Sequence, residues 1–298
     1  MAENKILSIS GNALNVSTAE KKKREALIAL TESQKARKIL TGIVKGVEKV
    51  NGTAVAVVYY ENFKIIIPAE CMIEITPVQG KPEDQWPEYL LSKRLGSEIN
   101  YIVKDINIEE ELAVASRTEA MEIIKNERIF AKNPDNTPVF TVGSVAEARV
   151  VCSTRAGIFV EIFGVETYIR ASELSYQRIQ DATVNFPVGQ YVLVKILSLE
   201  VDENNKVKLS ASVKQAQENP YKKAMLRYQE GDKYIGTVSM VDEHGVFVAL
   251  DGGVDVLCQF PKRGTRPTRG TMVTVRITTK NEEMNRIFGT ITHTSSAQ

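Results

Sequence analysis

Two phenylalanines occupy matching positions in two short glycine-led segments, GIFVEI and GVFVAL. In an extended strand, residues two apart share a face, so Ile158 and Val160 can face a core while Phe159 faces outward. Phe247 likewise lies between two aliphatic residues, Val246 and Val248. An outward ring offers a flat apolar surface on which a nucleobase can stack, worth about 1–3 kcal/mol per base. The pattern leaves a second interpretation open, in which both rings are buried, as phenylalanines usually are.

Positive charge is concentrated shortly after the second of these segments. The sequence KRGTRPTR at 262–269 contains four cations and no anion: Lys262, Arg263, Arg266 and Arg269. A solvated loop usually mixes both signs of charge, so this run favours contact with phosphates, which bind through displacement of their counterions. Isolated cations elsewhere are solvated surface charges or further phosphate contacts: Arg170, Arg178, Lys206 and Arg286.

The sequence lacks the motifs of common catalytic and metal sites. It contains no phosphate-binding GxxxxGK[ST] loop, no GxGxxG and no GxSxG. Its histidines, His244 and His293, and its cysteines, Cys71, Cys152 and Cys258, form no pair with metal-ligand spacing. An odd number of distant cysteines argues against a disulfide framework and favours a reducing cytoplasm. We therefore expect a non-enzymatic, cytoplasmic protein that has no metal or cofactor.

Composition and charge narrow the possibilities further. With 38 Lys+Arg, 37 Asp+Glu and 43% hydrophobic residues, the chain has the composition of an ordinary globular protein. No apolar run approaches the roughly 18–20 residues of a membrane-spanning helix, so no membrane association is expected. Residues 1–38 carry a net charge of +4 (8 basic, 4 acidic), whereas residues 39–116 carry −5 (7 basic, 12 acidic). An acidic region binds phosphates poorly, so a nucleic-acid ligand is expected to bind further along the chain.

The strand that carries each phenylalanine belongs to a longer repeat. Its two clear copies begin near Gly143 and Gly231, and each contains five short strands in about 70 residues, with valine, isoleucine and aromatic residues in alternation. A weaker copy begins near Ile39. Five strands in so short a unit favour a closed barrel, because closure removes exposed strand edges. The sequence therefore predicts three barrels in series.

The middle copy resembles the S1 RNA-binding domain, an OB-fold unit repeated in the largest bacterial small-subunit ribosomal protein. The resemblance rests on segments that follow one another in the expected order: Val142-Gly143, AGIFVE at 156–161, RASELS at 170–175, GQYV at 189–192 and KVKLS at 206–210. The three copies together cover about residues 38–294. The resemblance implies that one face of the barrel binds single-stranded RNA through two aromatics on the second strand, a side chain on the third and a late cation.

The resemblance also gives particular residues a role. In the middle copy, the first and second aromatic positions hold Ala156 and Phe159, the third-strand position holds Arg170, and the late cation is Lys206. In the last copy, the same four positions hold His244, Phe247, Gln259 and Arg286. Each of these copies therefore keeps one phenylalanine, and His244 can stack partially. In the first copy, Asn51, Ala54 and Pro68 take the aromatic and third-strand places. That copy has lost its stacking surface.

The predicted fold class is all-β with accessory helices, in which a basic N-terminal helix precedes three five-stranded OB-fold barrels in tandem. The predicted domains are a basic, helical or flexible arm at 1–38, a degenerate OB-fold domain at 39–132, and two RNA-binding OB-fold domains at 139–214 and 228–294. A capping box formed by Ser116 and Glu119 indicates the helix that closes the first domain. The arm either binds a partner or lies on its own domain.

Together these patterns predict a non-catalytic protein that binds single-stranded RNA through its last two domains, in translation or mRNA handling. The predicted RNA-binding residues are Phe159, Arg170, Arg178, Lys206, His244, Phe247, Gln259, Lys262, Arg263, Arg266, Arg269 and Arg286. Residues 1–132 are candidates for contact with the small ribosomal subunit or another protein. Two alternatives stay open: the barrels are protein-interaction or structural modules, or they bind single-stranded DNA of a mobile element or virus, since stacking does not sense the 2′-hydroxyl.

Overall fold

A computed structural model describes residues 6–7, 13–14, 18–203, 205–260 and 266–294. Three five-stranded β-structures follow one another along the chain, and a two-stranded sheet of β1 (Ile6–Leu7) and β2 (Ala13–Leu14) precedes them. This confirms the all-β fold class with tandem OB-type barrels. Within the described ranges, no helix is both long and apolar enough to cross a membrane.

The first barrel closes in the strand order β3-β4-β5-β7-β6, with β5 and β7 parallel. Alternate residues of its strands, such as Phe63, Ile65 and Ile67, are buried in a single apolar core. Two helices follow its third strand. The elements are β3 (Leu40–Val50), β4 (Thr53–Tyr60), β5 (Phe63–Pro68), α2 (Ala69–Met72), α3 (Trp86–Ser92), β6 (Glu98–Asn107) and β7 (Leu112–Ser116).

The basic N-terminal helix, α1 (Thr18–Ala36), packs on this first barrel. Ala26 and Leu30 are buried in the barrel's core. The buried Ser33 hydroxyl accepts a hydrogen bond of 3.0 Å from the Val103 amide of β6. Of the two sequence-based interpretations of this segment, the structure shows the helix that lies on its own domain.

Helix α4 (Arg117–Arg128) connects the first barrel to the second. The Ser116 hydroxyl accepts the Glu119 amide, as the capping box predicts. The second sheet has the order β10-β9-β8-β11-β12, and its ladder stays open between β10 and β12, where the Thr167 hydroxyl donates to the Leu209 carbonyl (2.7 Å). Its elements are β8 (Val145–Thr154), β9 (Gly157–Ile162), β10 (Val165–Arg170), α5 (Ala182–Asn185), β11 (Tyr191–Val201) and β12 (Val207–Ser212).

A short helix, α6 (Pro220–Arg227), leads into the third barrel, and the Asn219 side chain caps it by accepting the Tyr221 amide (2.9 Å). Proline at the first helical position suits this start, because its missing N–H would have no helical partner there. The barrel closes in the order β13-β14-β15-β17-β16, with β15 and β17 parallel. Its strands are β13 (Lys233–Asp242), β14 (Gly245–Leu250), β15 (Val254–Gln259), β16 (Met272–Asn281) and β17 (Arg286–Thr294).

Candidate nucleic-acid interface

The second barrel presents two aromatic rings side by side on its outer surface. On β9, Ile158 and Val160 point into the core, and Phe159 lies half-buried on the opposite face. Tyr168 of β10 pairs directly with Phe159, and their ring centroids are 5.0 Å apart. With 38% of its surface exposed, Tyr168 is open to solvent. The two rings are tilted by 48° to each other and form an aromatic surface, the Phe159–Tyr168 pair, to which the exposed Tyr168 ring gives an unpaired base access.

The sequence analysis missed Tyr168 because it placed both aromatic positions on the second strand, where Ala156 occupies the first of them. Ala156 is exposed at the turn before β9 and offers no ring. The signal was present in β10 itself, where buried Ile169 separates Tyr168 from exposed Arg170 and so places both on the outer face. Pairing across two strands supplies the second ring that the second strand alone lacks.

A glycine makes this arrangement possible. Gly157 pairs with Arg170, and a Cβ atom at position 157 would lie 2.2 Å from the Ile169 carbonyl oxygen and 2.7 Å from the Tyr168 hydroxyl. The Tyr168 side chain therefore lies across the strand at a point where only glycine leaves space. Arg170, beside it, makes no ion pair with any residue that the structure describes. Its guanidinium is thus available to a phosphate next to the aromatic pair.

The remainder of this outer face is covered by the first barrel. Glu161 and Glu166 both pair with Arg117, which is 1% exposed, and the Arg117–Glu166 distance is 2.9 Å. Arg94 contacts Glu166 at 2.7 Å, and Arg149 contacts Glu161 at 3.2 Å. Glu161 faces outward, as its spacing from Phe159 predicts, but is buried beneath the first barrel. This buried ion cluster holds the first two barrels together and leaves the aromatic pair at the margin of their contact.

Acidification should weaken this contact. Burial alone raises the pKa of Glu166, but the charges of Arg117 and Arg94 outweigh burial and lower it below the ordinary value of 4.5. A depressed folded-state pKa stabilises the protein above the unfolded-state pKa, and this contribution is lost as the pH falls through the folded-state pKa. We expect unfolding free energies from urea titrations to decrease below about pH 4.5, and less steeply in Glu166→Gln. Equal pH dependence in both proteins would contradict this assignment.

A cleft of about 430 Å³ separates the first two barrels beside the aromatic pair. Phe159 and Tyr168 lie on one wall and Glu74 on the other. Lys206, the predicted late cation of the second barrel, crosses the cleft and binds both carboxylate oxygens of Glu74 at 2.7 and 3.0 Å. It is exposed but already paired, so contact with a phosphate requires Lys206 to exchange partners.

The third barrel presents a single ring at the corresponding place. Phe247 lies half-buried on the outer face of β14, whose Val246 and Val248 are buried in the core. Its partner on β15 is Leu257, where the second barrel has tyrosine. The guanidinium of Arg178, which belongs to the second barrel, lies 4.8 Å from the centre of the Phe247 ring. Arg178 is therefore not on the binding face of its own barrel.

Three other predicted residues of the third barrel lie exposed around this face. His244 occupies the turn between β13 and β14, and its Nδ1 lies 3.6 Å from an oxygen of Asp242. Gln259 is the last residue of β15, and Arg286 is the first of β17. The side chains of Gln259 and Arg286 have no ion-pair or hydrogen-bond partner in the part of the chain that the structure describes. The Arg286 guanidinium is thus available to a phosphate.

Two of the four cations in the 262–269 run can be placed. The Arg266 guanidinium lies 4.7 Å from the centre of the Phe260 ring. Arg269 donates a hydrogen bond of 3.4 Å to the Gln180 side chain of the second barrel. Both arginines are exposed. The two cations that lie outside the described residues are Lys262 and Arg263.

The cysteines show no features of a reactive site. All three are free thiols, and Cys152 and Cys258 are buried. Burial raises the pKa of the Cys258 thiol to about 12 and also raises that of Cys152. Since the thiolate is the nucleophilic form, both side chains are held in their unreactive state. They serve as small apolar residues of the barrels, as their strand positions predict.

Similarity to known proteins agrees with this geometry. Residues 139–212 match the family model described as the S1 RNA binding domain. The second barrel is an S1 RNA-binding domain. Over 239 residues, 80% of the chain, the sequence is 27% identical to small ribosomal subunit protein bS1 of Neisseria meningitidis, of which it covers 39%. The resemblance seen in the repeat is thereby confirmed.

A second relative carries a different name. Over 254 residues, 84% of the chain, the sequence is 30% identical to 4-hydroxy-3-methylbut-2-enyl diphosphate reductase of Clostridium acetobutylicum, of which it covers 36%. The chain therefore spans less than two fifths of either relative. A solved multidomain protein with nucleic acid binding domains from Streptococcus pneumoniae aligns over 88% of this chain and 75% of its own, with 11% identity and a TM-score of 0.20. The chain is thus similar to curated proteins of two different names.

Proposed function

We propose that this chain binds single-stranded RNA without catalysing a reaction, and that it acts in translation or mRNA handling. The observation that carries the proposal is the Phe159–Tyr168 pair, with Tyr168 open to solvent, beside Arg170, which makes no ion pair with a described residue, in the segment that matches the S1 family model. Rings stack any base, and the guanidinium binds the phosphate that links it to the next. Similarity to a small ribosomal subunit protein supports the setting.

In this proposal, the second and third barrels bind the same RNA molecule in tandem. Only α6 and short flanking segments separate them, so RNA held by one barrel meets the other at a high effective concentration. The first barrel contributes through its contact with the second, not through stacking. The proposed contacts are Tyr168 together with the residues expected from the sequence: Phe159, Arg170, Arg178, Lys206, His244, Phe247, Gln259, Lys262, Arg263, Arg266, Arg269 and Arg286.

A direct test measures fluorescence anisotropy of a labelled 12-nucleotide RNA with the full chain, in competition with DNA of matched sequence. We expect binding that weakens as salt rises, because phosphate contacts release counterions. DNA that competes as well as RNA would favour the single-stranded DNA alternative. Absence of binding at about 50 mM salt would contradict the proposal and favour the protein-interaction alternative.

The two exposed arginines of the 262–269 run give a second prediction. In Arg266→Gln/Arg269→Gln, we expect the slope of log affinity against log salt to flatten by about 1.4, since each lost phosphate contact on a single strand removes about 0.7. The matched control is Lys49→Gln/Lys64→Gln, which removes two ion-paired cations of the first barrel and should leave the slope unchanged. An equal slope in wild type and the arginine variant would exclude phosphate contact there.

A further inference from the structure

A loop of the second barrel reaches onto the proposed binding face of the third. Arg178, in the loop after β10, pairs with Asp242 of β13 at 3.0 Å, and its amide donates to the Asp255 carboxylate of β15 at 3.2 Å. The Gln180 side chain two residues later accepts the hydrogen bond from Arg269. These contacts fix the loop on both sides of Phe247. The Arg178 guanidinium is therefore held over the ring by the third barrel itself.

The charges that the third barrel places around Phe247 are unfavourable for a polyanion. Asp242 and Asp255 lie on the strands that flank β14, and Glu243 lies exposed in the adjoining turn. Without Arg178, a phosphate strand that approached this ring would meet the carboxylates of Asp242 and Glu243, while Asp255 lies buried beneath the loop. Arg178 pairs directly with Asp242 and adds positive charge beside the ring. The charge closest to the Phe247 ring thus comes in part from a residue of the neighbouring barrel.

The position of Arg178 also decides what a base would meet. One side of its guanidinium faces the Phe247 ring, yet 47% of its side chain is exposed. A guanidinium plane stacks on aromatic rings and on bases alike, and its spare N–H groups can bind phosphate. The ring beneath it is half-buried and covered.

We propose that the RNA site of the third barrel is composite: a base stacks on the Arg178 guanidinium of the second barrel, which itself lies on Phe247. This inference rests on the proposed function and adds that the site forms only while the two barrels are docked. The alternative is that Arg178 merely covers Phe247 and must leave before a base can bind. The two arrangements predict effects of opposite sign when Arg178 is shortened.

The test is a double-mutant cycle on the full chain, with the labelled 12-nucleotide RNA as probe. We expect Arg178→Ala to weaken binding about tenfold, and Phe247→Ala by a similar factor, because each removes one layer of the stack. The affinity of the double variant should lie within about twofold of the affinity of either single variant, because the two side chains act as one stack and their effects are not additive. Arg178→Lys keeps the charge but not the plane, and should recover only part of the loss.

The control is Arg227→Ala. Like Arg178, Arg227 lies over an aromatic ring: its guanidinium is 5.5 Å from the centre of the Tyr228 ring. It also lies 3.9 Å from a carboxylate oxygen of Asp251, in the turn between β14 and β15. It should leave affinity unchanged, and thermal melting of all variants should match the wild type. Tighter or unchanged binding by Arg178→Ala would overturn the composite site while leaving RNA binding intact. A wild-type chain that fails to bind RNA would instead overturn the proposed function.

Discussion

We expect replacement of Phe159 and Tyr168 together by alanine to lower the affinity of the full chain for single-stranded RNA by about 30-fold or more. Each ring contributes about 1–3 kcal/mol of stacking to a base, so loss of the pair removes at least about 2 kcal/mol. The second barrel then keeps Arg170 but loses both rings beside it. Anisotropy with the labelled RNA measures the change, and it should be similar for different base sequences because stacking is sequence-tolerant.

The control for this pair is Tyr59→Ala on the first barrel. Tyr59 is an exposed tyrosine on a barrel strand, like Tyr168, but the residue that pairs with it is Lys64, not an aromatic. Its removal should not change affinity. If the double variant binds RNA as tightly as the wild type while melting at the same temperature, Phe159 and Tyr168 are surface residues without a role in binding.

The sequence was sufficient to predict the barrel strands and helix α4, because local signals determine them, whereas the β1–β2 pair and the short helices α2 and α5 were not predicted. Alternating valines and isoleucines fix which side of each strand is buried, and Ser116 and Asn219 mark helix starts through hydrogen bonds to residues two or three positions away. The repeat adds the strand order. For these reasons the barrels, α4 and α6 follow from residues close together in the chain.

The composition of the site could not be predicted in the same way, because it depends on pairing between distant residues. Tyr168 reaches Phe159 through the β9–β10 register, and the third barrel has Leu257 at that place. Arg178 was expected among the RNA contacts as a cation, but nothing in its neighbours indicates that it lies over a ring of the next barrel.

The first copy of the repeat makes structural contacts with the second barrel. It lacks aromatic residues at the stacking positions, yet Arg94 and Arg117 bind two carboxylates of the S1 domain, and Glu74 pairs with Lys206 across the cleft. The Arg178 loop joins the S1 domain to the third barrel in turn. Part of the acidic charge of the first barrel thus holds a cation, Lys206, beside the aromatic pair.

The buried ion cluster gives the largest expected effect on stability. Arg117→Met should lower the free energy of unfolding by about 3–5 kcal/mol, since it leaves buried Glu161 and Glu166 short of one positive charge. Urea unfolding, followed by circular dichroism, measures the loss, and the transition of the first two barrels should move most.

Arg37→Met provides the comparison within the same barrel. Arg37 pairs with Glu119 at 2.9 Å, but 55% of its side chain is exposed, so water already solvates both charges. Its loss should cost no more than about 1 kcal/mol. Both arginines pair with glutamates, but only Arg117 is buried. The ratio of the two losses in unfolding free energy therefore measures how much burial increases the cost of removing an ion-paired arginine. Equal, small losses in both variants would mean that water reaches Arg117 and that the first two barrels are not locked by this cluster.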